Sequence, residues 1–257
     1  MKINPEFKKV AIFAAKEAGK ILEKNFRKVV KVSFKKDSSL VTKIDLEVER
    51  VIIQLIKNNF PSHDILSEEA GGKIGKNYTW VIDPLDGTTN YTRNIPFFST
   101  SVALLYQGVP ILGVVFDPIN KELYIAEKGK RAFLNGKRIR VAQRHVLSKA
   151  VFLFNKYRAK EDFLRFQEIL GLVGDKCATL RVLGSVILGL CYLASGKADA
   201  FFTVGHKPWD LVAGALIISE SGGRVTNLLG DDWQVEEKNI IAANGRIHKQ
   251  IIKLINS

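Results

Sequence analysis

The apolar pattern of this chain changes period once, near residue 145, and that change narrows the folds open to it. Residues 6–26 place Val10, Phe13, Ala14, Ala18, Ile21 and Leu22 near helical spacing, which predicts an opening amphipathic helix. A short strand, Val29 to Phe34, follows. Thr42-Lys43-Ile44-Asp45 has capping-box character, with aspartate in place of the commoner glutamate. The apolar positions Leu46, Val48, Ile52, Ile53, Leu55 and Ile56 then predict a second helix to about Phe60, where Pro61 ends it. Short apolar runs come next: Asp64 to Ser67, Thr79 to Ile82, Thr100 to Tyr106, Ile111 to Phe116, Leu123 to Ala126 and Arg138 to Val141. Gly, Pro or Asn separates most of them, which suits an antiparallel sheet. After Val151 to Phe154 helices and strands alternate, with helices near 160–170, 185–195, 208–221 and 246–255 and strands near Leu180, Ala200, Val225 and Ile240. The expectation is an α/β (α+β) protein with subdomains 1–145 and 146–257. No Gly, Ser or Pro-rich linker joins them, so they should pack as one unit.

A chain of 257 residues with 46% apolar and 25% charged residues has the material for a large core, which argues against disorder. Its longest uncharged run, Val182 to Gly196, falls short of the roughly 20 residues that span a bilayer. Lys16, Glu17 and Lys20 interrupt the first apolar segment, so no signal peptide is expected and the location expected is cytoplasmic. Cys177 and Cys191 sit among apolar neighbours and read as buried thiols in a reducing compartment. Lysine richness with one methionine hints at a thermophilic source. The net charge of +13 favours polyanions, but the cations are spread along the chain, which argues against nucleic acid as the main partner. The densest basic cluster, Lys128 to Arg140, reads as a hairpin with solvated side chains.

The stretch Val81-Ile82-Asp83-Pro84-Leu85-Asp86-Gly87-Thr88-Thr89-Asn90 carries the chemistry. Asp-Gly alone is a hairpin-turn signal. Other carboxylates also fall at the ends of elements, however: Glu68 and Glu69 after one strand, and Asp210 at a helix start. Alone, these would be a solvated loop and a helix cap. Converging in space, they would repel one another unless cations neutralised them. An all-oxygen set points to a hard cation such as Mg²⁺, and two or three in one site would suit phosphoryl chemistry. Pro84 holds Asp83 in extended geometry, and Gly87, Thr88 and Thr89 would offer backbone N–H groups to a phosphate. No nucleotide-binding glycine motif occurs, and His63, His145, His206 and His248 lack zinc-like spacing; they read as surface residues or supports of a neighbouring group.

With these residues assembled, the sequence resembles the inositol monophosphatase family of Mg²⁺-dependent, lithium-sensitive phosphatases. The family signature W-x-I-D-P-x-D-G-T-x-N is reproduced from Trp80 to Asn90. Trp209-Asp210 leads to Glu220-Ser221-Gly222-Gly223 where the family has W-D and E-A-G-G. Glu68-Glu69 and Leu40-Val41-Thr42-Lys43-Ile44-Asp45 supply two further motifs in family order, and Arg181 to Ser185 matches R-x-x-G-[ST].

The resemblance implies a layered α-β-α-β-α fold, with an antiparallel N-terminal sheet and a mixed C-terminal one. It implies that Glu68, Asp83 and the Leu85 carbonyl bind one metal, that Asp83, Asp86 and Asp210 bind another, and that a third, weaker Mg²⁺ sits near Glu68. Thr88 and Asp45 would orient and deprotonate the attacking water, while Gly87 and Thr88 hold the phosphate. Arg181, Gly184 and Ser185 would close over the substrate. The reaction implied is in-line attack on a phosphate monoester without a phosphoenzyme. Mn²⁺ would substitute for Mg²⁺, and Li⁺ would inhibit. A homodimer is the assembly the family implies. Inositol 1-phosphate is the expected substrate, but at the position where many inositol phosphatases place a substrate-contacting glutamate this chain has Thr203. Fructose 1,6-bisphosphate is therefore the alternative substrate. A role in binding RNA or protein on the same scaffold is the alternative of another class.

Overall fold

The computed structural model describes residues 3–28, 32–34, 40–156 and 159–257. The expected strand segment Val29 to Lys31 lies outside them. The first half contains α1 (Pro5–Asn25), β1 (Val32–Phe34), β2 (Leu40–Thr42), α2 (Lys43–Asn59), β3 (Asp64–Ser67), β4 (Gly71–Gly72), β5 (Tyr78–Asp86), α3 (Thr88–Thr92), β6 (Ser99–Tyr106), β7 (Val109–Asp117), β8 (Glu122–Glu127), β9 (Ala132–Leu134) and β10 (Lys137–Arg138). The second half contains β11 (Val151–Lys156), α4 (Lys160–Val173), β12 (Thr179–Arg181), α5 (Val186–Ala194), β13 (Ala200–Val204), α6 (Pro208–Glu220), β14 (Gly223–Thr226), β15 (Ile240–Asn244) and α7 (Gly245–Ile255).

Local chemistry sets the helix starts. Asn4 Oδ1 accepts from Glu6 N at 3.0 Å ahead of Pro5, which begins α1. The capping box expected at Thr42 and Asp45 is present and opens α2. Both helices lie on one face of an eight-stranded sheet of order β10-β9-β8-β7-β6-β5-β3-β4. The sheet is antiparallel, as expected, with one exception: β3 and β5 run parallel. A right-handed crossover is not needed to see why: β4 returns antiparallel on the outer side of β3, leaving the chain to enter β5 from the same end as β3.

Strand alternation builds the layers. Trp80, Ile82, Val102, Leu104, Leu112 and Val114 face α1 and α2, while Val81, Ala103, Leu105 and Val115 face the opposite way onto α5 and α6. Beyond α5 and α6 lies a five-stranded sheet of order β12-β11-β13-β15-β14. It is mixed, as expected: β12, β11 and β13 are parallel, and β15 is antiparallel to both neighbours. Leu153, Phe201 and Ala242 point inward from it, while Phe152, Phe154, Phe202 and Ile241 point outward onto α4 and α7. The result is the layered α-β-α-β-α arrangement.

The middle layer explains the uncharged run Val182 to Gly196. Eight of its residues, Val186 to Cys191 with Leu193 and Ala194, are buried in α5 because sheets cover the helix on two sides. No helix among the described residues is long and apolar enough to cross a membrane. Both cysteines are free thiols, Cys191 buried in α5 and Cys177 partly buried. The basic cluster forms the expected hairpin, β9–β10, whose Asn135-Gly136 turn has φ of 49° and 77° at its two residues. The Asp86-Gly87 pair makes no hairpin: the chain runs from β5 into α3 and returns to pair with β5 only at Ser99.

Two measurements test this packing. A Cβ at Gly214 would stand 2.5 Å from the Leu190 side chain, between α6 and α5. Gly214→Val should therefore lower unfolding free energy by about 1–3 kcal/mol, read from the urea midpoint at unchanged slope. His248 is buried on α7 with Nε2 2.8 Å from Thr226 Oγ1, and burial, with Arg224 adding to it, pushes its pKa down to about 4. The unfolded chain then binds a proton that the folded chain refuses between about pH 6.5 and 4. This contribution to stability is complete above pH 6.5 and is lost as pH falls toward 4, and His248→Gln should flatten that part of the stability profile.

Candidate active site

β5 carries the signature motif through the centre of the first sheet. The strand continues through Pro84 to Asp86, further than the apolar run implies, so Asp83 and Asp86 are strand residues and do not lie beyond its end. The proline is accommodated because β3 pairs with β5 only as far as Ile82 and the register to β6 is irregular between Asp83 and Asp86. Asp83 is 1% exposed and Asp86 7%.

Each carboxylate has its own fixing contacts. Asp83 Oδ1 accepts from Leu85 N at 3.0 Å. Asp86 reaches across to the second half: Oδ1 accepts from Val186 N at 3.0 Å, and Oδ2 accepts from Ile187 N at 2.9 Å and from the Ser185 hydroxyl. Asp86 thus caps α5, with Ser185 as the helix's own cap residue. Asp210, in the first turn of α6, accepts from Lys207 N at 2.9 Å and stands 3.1 Å from His206 Nδ1. Glu68 follows β3, its backbone N–H donating to Ile82 O at 3.3 Å.

These four carboxylates act on one another. Burial, followed by the charges of Glu68, Asp86 and Asp210, holds the Asp83 carboxyl well above the usual carboxylate range. Asp86 is raised to about 6, mainly by burial; Asp210 adds to the rise and the Ser185 hydrogen bond opposes it. Among the described residues no three His, Cys, Asp or Glu side chains stand in ligating geometry as they are. The donor set is nevertheless all oxygen, and neighbouring carboxylates add to burial in disfavouring ionisation of Asp83, a cost that a hard divalent cation would offset.

Beside this cluster Asp45 is fully buried, its Oδ2 held by Thr42 N at 2.9 Å and by the Thr42 hydroxyl. Its Oδ1 faces the Thr88 hydroxyl at 3.3 Å, and the same hydroxyl lies 3.1 Å from the Leu85 carbonyl oxygen. Gly87 initiates α3 with φ of 93°, and a Cβ there would approach Phe97 O and the Ser185 Cβ to 3.1–3.3 Å. Only glycine fits this turn without strain.

The structure brings Asp45, Leu85 and Thr88 together by hydrogen bonds, and Glu68, Asp83, Asp86 and Asp210 together by charge, with Gly87, Gly184 and Ser185 packed against the same turn. Two residues stand apart. Arg181 is exposed at the end of β12, its Nη1 donating to Leu180 O at 2.9 Å. Thr203 is 0% exposed in β13, its hydroxyl donating to Asn155 O at 2.8 Å.

Three supports complete the site, and the sequence pointed to one of them, His206, only as one of four histidines that could support a neighbouring group. Asn90 Nδ2 donates to Phe97 O at 2.8 Å and to Leu183 O at 2.7 Å, tying the signature turn to the second half. Glu49, 4% exposed, accepts from Glu69 N at 2.9 Å and from the Ser67 hydroxyl, bracing the turn that carries Glu68. The signal for it was a charge next to the apolar face Val48, Ile52 and Ile56 of α2. His206, 7% exposed, supports Asp210.

The family model described as "Inositol monophosphatase family" matches residues 4–257. Among proteins of known name, Nus factor SuhB of Pasteurella multocida is 39% identical over 254 residues, covering 96% of this chain and 94% of that protein. Nus factor SuhB of Escherichia coli K12 is 37% identical over 248 residues, covering 95% and 93%. Among solved structures, the extragenic suppressor protein suhB of Bartonella henselae superposes with a TM-score of 0.92 at 33% identity, covering 98% of this chain and 99% of that one. The IMPase of Thermotoga maritima gives a TM-score of 0.88 at 35% identity, covering 95% and 94%. The chain belongs to the inositol monophosphatase family.

Proposed function

We propose that this protein is a Mg²⁺-dependent phosphate monoester hydrolase whose substrate is inositol 1-phosphate. The observation that carries the reading is that Glu68, Asp86 and Asp210 all act by charge on the buried Asp83, with the Asp45–Thr88 pair joined to the same strand end through Leu85 O. Glu68, Asp83 and the Leu85 carbonyl would hold one cation and Asp83, Asp86 and Asp210 a second, with a third near Glu68. Bound there, Mg²⁺ lowers the pKa of a water and offsets charge on the leaving oxygen.

The chain's own residues supply the rest. The Thr88 hydroxyl, donating to Asp45 Oδ1, keeps lone pairs that accept from a water and fix its direction of approach. Asp45 receives the proton passed through that hydrogen bond; its other oxygen stays engaged by Thr42, so the carboxylate does not rotate. The backbone N–H groups of Gly87 and Thr88 hold the phosphate. Asp86 is held by α5, so metal and substrate loop share one support. Gly184 and Ser185 lie against the signature turn, and Arg181 would close over the substrate by leaving Leu180 O. Mn²⁺ substitution, Li⁺ inhibition and a homodimer belong to the same reading.

Thr203 favours a second substrate. Where an inositol-contacting carboxylate would stand, this chain has a buried hydroxyl already bonded to Asn155 O. Fructose 1,6-bisphosphate is then accepted alongside inositol 1-phosphate, and kcat/KM on the two compounds measures the preference. The relatives named Nus factor, with the +13 charge of this chain, also favour a second role in which RNA or protein is bound by the same scaffold. RNA affinity that falls steeply with salt supports that role, and no binding at low salt removes it.

Asp83→Asn is the cleanest test of hydrolysis. It keeps the acceptor for Leu85 N and removes only the charge, whereas Asp86→Asn would also put an amide against the N–H groups of α5. Asp83→Asn should cut Mg²⁺-dependent phosphate release by roughly 100-fold or more, since even outer supports of metal ligands cost 10–100-fold. The same variant should unfold at higher temperature than the parent in metal-free buffer, because a buried repulsion is gone. Phosphate release at the parental rate would defeat the assignment. Mg²⁺ at about 100 times its Kd should stabilise the protein by about 2.7 kcal/mol. Protons compete at Asp86, whose pKa is about 6, so the thermal shift should be larger at pH 8 than at pH 5.

A further inference from the structure

α2 carries two buried carboxylates, Asp45 and Glu49, whose i, i+4 spacing puts both on one face of the helix. Asp45 serves Thr88. Glu49 adjoins the apolar face of Val48, Ile52 and Ile56, where an ionised carboxyl is costly unless something compensates it. The usual compensation is an ion pair, and among the described residues Glu49 makes none. Its hydrogen bonds go instead to the turn that follows β3.

That turn is short. Ser67 at the end of β3 pairs with Gly71 at the start of β4, so Glu68, Glu69 and Ala70 span it alone. Parallel register brings Ser67 level with Ile82, and Glu68 N donates to Ile82 O, which sets Glu68 beside Asp83, the next residue of β5. Charge works against this placement, because Glu68 is the strongest of the three carboxylates acting on Asp83. Packing on the outer side gives little help, since β4 is two glycines with no side chain to bury. Glu49 Oε1 supplies the tie. It accepts from the Ser67 hydroxyl on one side of Glu68 and from Glu69 N, at 2.9 Å, on the other. Ser67 is fully buried, so its hydroxyl has no solvent to bond in place of Glu49.

We propose that Glu49 is a positioning residue for the cation assigned to Glu68, Asp83 and the Leu85 carbonyl: it holds Glu68 at the site from both flanks, and it does so as a hydrogen-bond acceptor and not by its charge. Glu49 has this role only where Glu68 and Asp83 bind that cation, as in the function proposed above. One face of α2 then sets both sides of the reaction. Asp45 aligns the Thr88 hydroxyl for the water, and Glu49, one turn later, aligns a ligand of the cation. The helix keeps the two at a fixed spacing, and octahedral Mg²⁺ tolerates little displacement of a ligand. Without Glu49 the turn relaxes away from Asp83, and cation affinity is lost while the Asp45–Thr88 pair stays in place.

Mg²⁺ binding to the full chain, measured by calorimetry without substrate, tests this role in Glu49→Ala, Glu49→Gln, Ser67→Ala and Glu68→Gln. Glu49→Ala should weaken Mg²⁺ binding by about 10–100-fold, the range for outer supports of metal ligands, and should speed hydrogen exchange at Glu69 N. Glu49→Gln keeps an oxygen acceptor and should restore Mg²⁺ affinity to within about threefold of the parent. In phosphate-ester hydrolysis, Glu49→Ala should raise the Mg²⁺ concentration for half-maximal rate by the same factor as the binding constant, while the rate at saturating Mg²⁺ falls by about threefold or less.

Parental Mg²⁺ affinity in Glu49→Ala would mean that Glu49 serves the fold alone, and equal losses in the Ala and Gln variants would mean that it acts by charge; either result overturns the proposal. Should Glu49→Ala not fold, Ser67→Ala decides: it removes one of the two donors and should weaken Mg²⁺ binding by about threefold or more, and parental affinity in it overturns the proposal as well. Glu68→Gln distinguishes failure of this role from failure of the metal site. Weakened binding in Glu68→Gln beside parental binding in Glu49→Ala removes only the role of Glu49, whereas parental binding in Glu68→Gln removes Glu68 as a ligand and the role of Glu49 with it.

Discussion

The interaction on which most of this structure depends is the contact between the Asp86 carboxylate and the first turn of α5. It joins the central strand of one sheet to the helix layer that separates the two sheets, through three donors at 3.0 Å or less. A helix start has N–H groups without intrahelical partners, and a buried carboxylate needs donors; each satisfies the other. Removing the carboxylate would uncap α5 and remove a member of the acidic cluster in one step. Site and scaffold are therefore not separable at this residue. Asn90, bonding Leu183 O from the same turn, makes a second tie of the same kind a few residues on.

The acidic cluster is affordable only within such a frame. Asp83 receives one backbone donor while three neighbouring carboxylates act against its ionisation, so its local energetics are unfavourable without a counter-charge. The surrounding layers supply the rigidity. α5 and α6 are buried along nearly their whole length, and their apolar contacts with both sheets hold Ser185 and Asp210 in place regardless of the repulsion.

Much of this was legible in the sequence, for identifiable reasons. The opening amphipathic helix, the capping box at Thr42 and the hairpin over the basic cluster are local, and local chemistry decides them. The signature from Trp80 to Asn90 was readable because its spacing is unusual. The extent of β5 was not, since Pro84 ordinarily argues against a central strand; only the early end of β3 and the shifted register of β6 permit it. The parallel β3–β5 pair likewise depends on β4, a strand of two glycines with no apolar signal. Thr203 could be compared with its family position but not placed: that its hydroxyl faces Asn155 depends on a neighbouring parallel strand 48 residues away.

The distribution of charge completes the picture. The chain carries +13 overall, yet Asp83 and Asp86 are buried, with Glu68, Asp86 and Asp210 all acting on Asp83, so a basic body carries a local acidic focus. In the proposed reaction a phosphate ester would be attracted by the body and repelled by the focus until cations at the focus reversed the sign of that last contact.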